Sequence, residues 1–399
     1  MQNFDKLKVL LGSEAVLERL TLQSPMVPFA EETILFFEQF SKEIRNHPEA
    51  KKMADAAAFG FWCRKAHLLQ LKKWYGEQMQ NALGKGVTLH FAPSNIPVLF
   101  AYSMSAALLA GNCCMVRLSS RKTPQEEALL ECLSHTLHCL PEWKNRIVLF
   151  RYEYDRKLTD ALSLMCDVRV IWGGDESVSE IRRSSLPPRA VELPFPDRRS
   201  AAVINAAAVL HAKDLEEMVR GFYNDTYRYD QNACSSPGLL YWIGEESQVK
   251  AAKERFWKEL FAYIKPLYTL SPVLAVKKWE AAMYLAALEP DTEICAEENI
   301  IVRVKVKRLL ETYWDMFVPG GFFLEAQGND LRGLLPVLTK KCQTLTCFGV
   351  SGKETADFLM ENRVTGADRI TEFGHALDFS LVWDGMDLID FMTRRISLV

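Results

Sequence analysis

Short apolar runs alternate with longer amphipathic segments from residue 87 onward, a pattern typical of a parallel β-sheet with crossover helices. The apolar runs predict strands at residues 87–91, 113–118, 146–152, 168–172 and 190–193. Helical spacing of the intervening apolar residues predicts helices at residues 97–109, 124–140, 156–166 and 176–183. The pattern therefore predicts a nucleotide-binding sheet over this part of the chain.

A second pattern of strands and helices begins at residues 200–205. It continues with an apolar strand at 238–243, a long helix at 247–264, and strands near Phe322 and Thr344. The first 55 residues are predicted to be helical, with prolines as breaks. A length of 399 residues allows two or three such lobes.

Composition and charge argue against several classes of function. A net charge of −3 gives no electrostatic reason to expect a nucleic acid. The longest apolar run, residues 96–110, contains Tyr102, Ser103 and Ser105 and is too short for a membrane span. The start of the chain shows no secretory signal pattern, and the ten cysteines show no zinc spacing. We therefore expect a cytoplasmic protein without a bound metal.

Cys234 is the candidate nucleophile. It lies between the amphipathic segment 214–229 and the strand at 238–243, so that rigid elements would hold its thiol on both sides. The side chains of Gln231, Asn232 and Ser235 offer polar groups for a thiolate or an oxyanion. The alternative is a buried, inert cysteine, which is the more frequent situation in proteins.

Several segments in one order resemble the LuxC-type acyl-CoA reductases, a branch of the aldehyde dehydrogenase superfamily. The segment around the cysteine, Asp-Gln-Asn-Ala-Cys-Ser-Ser-Pro at 230–237, carries most of this resemblance. The others are residues 90–97 (His-Phe-Ala-Pro-Ser-Asn-Ile-Pro), 108–112, 116–120, 171–176, 369–374 and 383–385. The resemblance implies an α/β, aldehyde dehydrogenase-like fold with a parallel-sheet dinucleotide-binding domain and an α/β catalytic domain.

Four regions follow from this interpretation. They are an N-terminal helical segment (1–55), the dinucleotide-binding domain (56–205), the catalytic domain with the nucleophilic cysteine (206–365), and a C-terminal segment that packs on the cofactor domain (366–399). The superfamily binds its dinucleotide without a Gly-x-Gly-x-x-Gly motif, and none follows the first predicted strand here. The resemblance also implies a homo-oligomer.

Asn95 follows the first predicted strand, at the edge where parallel sheets place ligands. The resemblance implies that its amide and the backbone N–H of Cys234 form an oxyanion hole. The alternative is that Asn95 caps the helix that begins near Pro97.

The cofactor is inferred from the end of the second predicted strand. An acidic residue there would select NAD, but this chain has Arg117, Ser119 and Arg121, which suit a 2′-phosphate. The prediction is therefore NADPH, against the alternative of an ordinary exposed basic loop. Gly173 and Gly174 would let the cofactor approach the backbone before the next helix.

Glu192 resembles the water-activating glutamate of aldehyde-oxidising members, although prolines replace the glycines that follow it. By looser analogy, Glu325 is a candidate contact for the nicotinamide ribose and His375 a candidate proton donor. The expected activity is NADPH-dependent reduction of an acyl-CoA or acyl-protein thioester to a fatty aldehyde. The alternatives are an aldehyde dehydrogenase that forms the acid, and an acyl-accepting subunit that works with an acyl-protein synthetase.

Overall fold

The computed structural model describes residue 4, residues 6–289 and residues 291–398. The chain divides into two compact units. The first unit contains the residues up to Pro196 and those from Leu381 onward, and the second unit contains Asp197–Ser380. No helix of the described residues is long and apolar enough to cross a membrane.

The first unit is built on a six-stranded sheet with the order β1-β5-β4-β3-β6-β7. All neighbouring strands are parallel except β1, which pairs antiparallel with β5. The strands up to Pro196 are β1 (Lys8–Leu11), β2 (Ala82–Gly84), β3 (Val87–Phe91), β4 (Cys113–Arg117), β5 (Ile147–Arg151), β6 (Val168–Trp172) and β7 (Val191–Phe195).

Eight helices belong to the same part of the chain. They are α1 (Glu14–Leu20), α2 (Glu31–Asn46), α3 (Ala54–Trp62), α4 (Lys65–Tyr75), α5 (Leu99–Leu109), α6 (Pro124–Cys139), α7 (Arg156–Ser163) and α8 (Asp175–Arg182). Short 3₁₀ helices cover Ala50–Lys52, Gly76–Met79 and Pro141–Asn145. The side chains of Thr123 and Asp155 accept backbone N–H groups at the starts of α6 and α7, which fixes both helix starts.

The sequence prediction for this sheet is confirmed in all five strands and all four helices. Strands β3, β5 and β6 are buried along their whole length, so apolar residues predominate in their sequences. The exceptions are the buried polar residues Thr88, His90, Arg151 and Arg169. The prediction that the first 55 residues are helical is wrong at one place. Residues 8–11 form the edge strand β1, whose register against β5 shifts between Val9 and Leu11.

The second unit is built on a seven-stranded sheet with the order β10-β11-β12-β9-β8-β13-β14. Only the pair β10 and β11 is antiparallel. The strands are β8 (Arg199–Asn205), β9 (Pro237–Ile243), β10 (Glu293–Glu297), β11 (Ile301–Lys305), β12 (Phe322–Gly328), β13 (Cys342–Phe348) and β14 (Arg369–Glu372).

Five helices accompany this sheet: α9 (Ala206–His211), α10 (Glu216–Thr226), α11 (Glu246–Ile264), α12 (Pro272–Leu288) and α13 (Gly352–Glu361). Short 3₁₀ helices cover Tyr227–Tyr229, Glu311–Met316 and Leu331–Val337. Apolar side chains fill both faces of the sheet, with Tyr241 in one core and its neighbour Trp242 in the other. Covered on both faces, the sheet presents only its strand ends as sites for chemistry.

The C-terminal residues return to the first unit. They form β15 (Val382–Trp383), β16 (Met386–Asp387), α14 (Leu388–Phe391) and β17 (Thr393–Arg395). Strand β15 pairs with β16, and β17 pairs antiparallel with β2.

Candidate active site

Cys234 lies in a turn at the amino end of β9, in the second unit. The turn is closed by a 2.9 Å hydrogen bond from Ser236 N to Ala233 O. Ser200 Oγ donates to the carbonyl oxygen of Cys234 at 2.7 Å and accepts from Thr344 N at 3.1 Å. The backbone of Cys234 is therefore attached to β8 and, through Ser200, to β13.

Gln231 holds the other end of this turn. Its side-chain amide donates to Pro237 O at 2.9 Å and to Phe322 O at 3.1 Å. Its side-chain oxygen accepts from Gly321 N at 2.9 Å and from Phe322 N at 3.2 Å. The buried side chain thus takes the place of a peptide group between β9 and β12.

The contacts of Gln231 differ from those expected from the sequence, in which its side chain is a candidate to stabilise a thiolate or an oxyanion. Its donors and its acceptor are bonded to the backbone, so the thiolate or oxyanion role does not apply. Asn232 is exposed, and its amide donates to Tyr229 O at 3.1 Å. The polar residues near Cys234 therefore shape the turn.

Cys234 is also set apart from most other cysteines by exposure. Seven of the ten cysteines are buried, whereas Cys234 and Cys295 are half-buried and Cys139 is exposed. Burial raises the pKa of the Cys166 and Cys342 thiols to about 12, which keeps them protonated and unreactive.

A cleft lies at the other edge of the same sheet. This open cleft of about 660 Å³ is lined in part by residues at the carboxyl ends of the strands, among them Asn205, Ile243 and Gly349. Cys234 precedes β9 and lies at the amino edge, so the cleft does not contain the thiol.

Three predicted positions meet at the carboxyl edge of the first unit's sheet. Asn95 follows β3, the segment with Ser119 and Arg121 follows β4, and Gly173 follows β6. Strand β3 lies between β4 and β6, and the chain changes direction across the sheet at this point. Ligands of open parallel sheets bind at such a crossing.

Asn95 is exposed in the loop between β3 and α5. The residue at the N-cap of α5 is Val98, and Leu99 N bonds to Ile96 O at 3.2 Å. Asn95 therefore lies three residues before the N-cap residue of α5.

The basic segment after β4 has one anchored and one exposed arginine. Arg117 Nη2 donates to Tyr152 O at 3.4 Å, and its guanidinium lies 5.4 Å from the Tyr152 ring centre. Ser119 is buried, with its hydroxyl 3.2 Å from Arg121 O. Arg121 is exposed to solvent and therefore accessible to an anionic ligand.

Gly173 and Gly174 connect β6 to α8. A Cβ atom on Gly173 would lie 3.3 Å from Ser177 Cβ, so the turn is tight. The first turn of α8 carries Asp175 and Glu176. These carboxylates oppose binding of a phosphate at this helix start, so the basic segment after β4 fits a phosphate better.

Glu192 takes part in a buried ion pair. Arg169 Nε donates to Glu192 Oε2 at 2.6 Å, and Arg182 Nε lies 2.8 Å from Glu192 Oε1. Arg169 is 2% exposed and also bonds to Ser163 Oγ and Ser184 O. Glu192 is the second residue of β7 and is therefore remote from the carboxyl edge, with contacts typical of a structural residue.

Glu325 and His375 also have local partners. Glu325 is buried in β12, and its Oε1 accepts the indole N–H groups of Trp242 and Trp257, each at 3.0 Å. His375 Nδ1 lies 2.7 Å from Asp378 Oδ2, and this contact raises the pKa of the imidazole.

Asp225, nine residues before Cys234, has contacts that no sequence motif indicates. Its carboxylate accepts Gly374 N at 2.7 Å and Ala376 N at 2.9 Å, so it ties α10 to the loop after β14. Burial raises the pKa of Asp225 to about 7. A lone aspartate in a helix gives no sequence signal of such a contact.

The fold is that of the aldehyde dehydrogenases. The structure matches 3,6-anhydro-L-galactose dehydrogenase in complex with NAP with a TM-score of 0.67 at 12% identity, over 99% of this chain and 96% of that chain. It matches methylmalonate-semialdehyde dehydrogenase from Oceanimonas doudoroffii with a TM-score of 0.65 at 12% identity, over 97% and 91% of the two chains. This similarity establishes an α/β, aldehyde dehydrogenase-like fold.

The family follows from the sequence match. Residues 65–395 match the acyl-CoA reductase (LuxC) family, and the chain belongs to this family of oxidoreductases.

Two relatives are long-chain acyl-protein thioester reductases. The one from Aliivibrio fischeri is 30% identical over 178 residues, which cover 44% of this chain and 36% of that protein. Long-chain acyl-protein thioester reductase 2 from Photobacterium leiognathi is 25% identical over 337 residues, or 81% and 66% of the two chains. The matched regions thus cover less than two thirds of these relatives.

Proposed function

We propose that this chain reduces a fatty acyl thioester to a fatty aldehyde with NADPH, through an S-acyl intermediate on Cys234. The observation that supports this proposal most directly is a half-buried thiol on a turn that is fixed at both ends, in a chain of the acyl-CoA reductase family. A thiol suits this reaction because its exchange with the thiol of an acyl carrier is nearly balanced.

In the first half of the reaction, the Cys234 thiolate attacks the acyl carbon. A bond forms between sulfur and the acyl group, and the bond to the carrier breaks, so that the carrier leaves as a thiolate. A side-chain amide from Asn95 would stabilise the oxyanion, and loss of such a donor typically costs about 3 kcal/mol in the transition state.

In the second half, the nicotinamide would supply the hydride that converts the S-acyl group to the aldehyde. Release of the aldehyde breaks the carbon–sulfur bond and returns the Cys234 thiolate. We assign no catalytic role to Glu192, because two arginines hold its carboxylate. A base that activates water would also hydrolyse the acyl-enzyme.

We assign the 2′-phosphate of NADPH to Ser119 and Arg121, with Arg117 beside them. Arg121 is exposed, and Ser119 lies next to it at the end of β4. The cofactor would lie against the protein backbone at Gly173 and Gly174. The acyl donor is acyl-CoA or an acyl protein, which an acyl-protein synthetase would supply in the cytoplasm.

The test of the nucleophile is intact-protein mass spectrometry after incubation with a long-chain acyl-CoA. Wild type should gain one acyl group, which disappears with release of aldehyde when NADPH is added. Cys234→Ala should gain none, because the acceptor thiol is missing. Cys295→Ala is the matched control, since Cys295 is also half-buried, and it should be acylated like wild type.

Other outcomes separate the alternatives. Acylation of Cys234→Ala would contradict the proposed nucleophile. Release of free acid in place of aldehyde would support the dehydrogenase direction. Acylation that occurs only with an acyl-protein synthetase present would identify the chain as an accepting subunit.

The cofactor assignment predicts that Arg121→Ala raises the KM for NADPH about tenfold or more, because a charge-assisted hydrogen bond to phosphate is lost. The KM for NADH should change little. Steady-state kinetics with both cofactors measure this, with Arg189→Ala as a control at another exposed arginine. An equal effect on both cofactors would refute the assignment.

A further inference from the structure

Arg151 and Glu126 form a buried ion pair beside the basic segment that follows β4. Arg151 is the last residue of β5 and Glu126 lies in the first turn of α6, and only 8% and 5% of their surfaces are exposed. Arg151 Nη2 contacts Glu126 Oε1. Arg151 Nε donates to the carbonyl oxygen of Ser119 at 2.7 Å. One guanidinium therefore binds both the start of α6 and the basic segment.

Further hydrogen bonds extend along the basic segment. Ser119 Oγ donates to Arg121 O at 3.2 Å. At the other end of the segment, Glu126 N donates to Thr123 Oγ1 at 3.3 Å, in the N-cap of α6. Glu126 thus binds Thr123 directly and reaches Ser119 through its partner arginine, so the ion pair holds both ends of the segment. The exposed Arg121 lies between these ends.

The chemistry of a buried ion pair points to a role in geometry. Two buried charges lose their hydration, which usually offsets their attraction, and apolar side chains of similar size are often equally stable. The guanidinium adds fixed directions, because its donors form a planar fork. Arg151 and Glu126 are both closed to solvent, so they can act on a ligand only through the segment that they hold.

We propose that Arg151 and Glu126 are positioning residues that set the cofactor preference of this site, by fixing the backbone from which Arg121 extends toward the 2′-phosphate. The inference rests on the proposed function, because it takes the basic segment as the phosphate site. A backbone that is fixed in advance loses less freedom when the ligand binds, which strengthens binding. A cofactor without a 2′-phosphate gains nothing from Arg121, so the pair changes the preference between the two cofactors.

The test is isothermal titration calorimetry of the full chain with adenosine 2′,5′-bisphosphate and adenosine 5′-monophosphate, which differ only in the 2′-phosphate. Wild type should bind the bisphosphate more tightly. Glu126→Gln keeps the size of the side chain and removes its charge. It should reduce this preference about tenfold, the usual scale for loss of a residue that orients a ligand-binding group. Its affinity for the monophosphate should stay unchanged, which a general loss of structure would not allow.

Glu192→Gln is the matched control, because Glu192 pairs with the buried Arg169 in the same unit. This variant should keep the preference of wild type. Arg151→Lys is the second test variant, and it decides the question if thermal melting shows that Glu126→Gln does not fold. It keeps a charge opposite Glu126 but loses the fork that also reaches Ser119 O, so it should lose the preference as well.

The possible results separate this inference from the proposed function. A wild-type chain that binds both probes equally would refute the phosphate site and, with it, the inference. A wild-type preference that the folded Glu126→Gln and Arg151→Lys variants retain would overturn the inference alone. An equal loss of preference in Glu192→Gln would also overturn it, because a general effect of breaking a buried ion pair would then explain the result.

Discussion

At the scale of single residues, the turn at Cys234 is held in an unfavourable backbone conformation by specific contacts. Asp230 and Gln231 both have left-handed backbone angles, with φ of 51° and 59°. Few residues other than glycine adopt this region without compensation. Tyr268 donates its hydroxyl to Asp230 at 2.9 Å, and Gln231 makes four hydrogen bonds to the backbone.

We predict that Gln231→Ala both destabilises the fold and changes the reactivity of Cys234. The substitution leaves buried backbone groups of Gly321, Phe322 and Pro237 without partners, at about 1 to 3 kcal/mol for each unsatisfied group. Urea unfolding measures the loss of stability. The rate of Cys234 alkylation in the folded protein, compared with wild type, measures the change in the turn.

Asn232→Ala is the matched control for this prediction. Asn232 is the next residue and also carries an amide, but it is exposed, and its amide donates to Tyr229 O at 3.1 Å. Its substitution should cost less stability than that of Gln231. Equal losses for both variants would contradict the bridging role of Gln231.

The partners of Glu192 illustrate a contact that the sequence does not predict. The resemblance of its segment to that of aldehyde-oxidising enzymes suggests a base, but its partner Arg169 is 23 residues earlier and becomes its neighbour only through the pairing of β6 with β7. For Gln231, three of the four partner atoms belong to the backbone 90 or 91 residues later. Such contacts have no sequence pattern of their own.

At the scale of elements, burial decides what the sequence predicts. The central strands of both sheets are covered on both faces, so their apolar runs and the turns between them predict the order of strands and helices. Strand β1 has only four residues, and β10 is mostly half-buried or exposed, so neither has a clear apolar run. These two edge strands are therefore missed by the sequence pattern, whereas the edge strand β7 is predicted.

Helix α12 shows a second limit at this scale. Its sequence is apolar enough to be taken for a core helix, but only Lys278, Ala282 and Leu285 are buried. Lys278 donates to the carbonyl oxygens of Asn299, Ile300 and Gly320, which orients α12 with its polar residue inward. The direction of the apolar face follows from these tertiary contacts and not from the helical pattern.

At the scale of the whole molecule, two buried ionisable groups give the stability opposite dependences on pH. His90 lies in the first unit between Ser103 Oγ at 2.7 Å and Thr88 Oγ1 at 2.9 Å, and burial lowers its pKa to about 3. Asp225 lies in the second unit near His375 and Asp378, and burial raises its pKa to about 7.

The sign of each contribution follows from the protons bound in the two states. Below about pH 6.5 the unfolded chain protonates His90 and the folded chain does not, so the stability from His90 is complete above that pH and declines on acidification. Asp225 stays protonated in the folded chain up to about pH 7, whereas the unfolded chain loses this proton near pH 4. Its contribution is therefore complete below pH 4 and declines as the pH rises.

We therefore predict opposite slopes for two variants between about pH 4.5 and 6.5, each on the order of 1.4 kcal/mol per pH unit. Relative to wild type, Asp225→Asn should become more stable as the pH rises, and His90→Gln should become less stable. Urea unfolding at several pH values measures both differences. If the two units unfold in separate transitions, each slope belongs to the transition of the unit that carries the residue. Slopes of the same sign would show that these groups do not keep the protonation states that their burial implies.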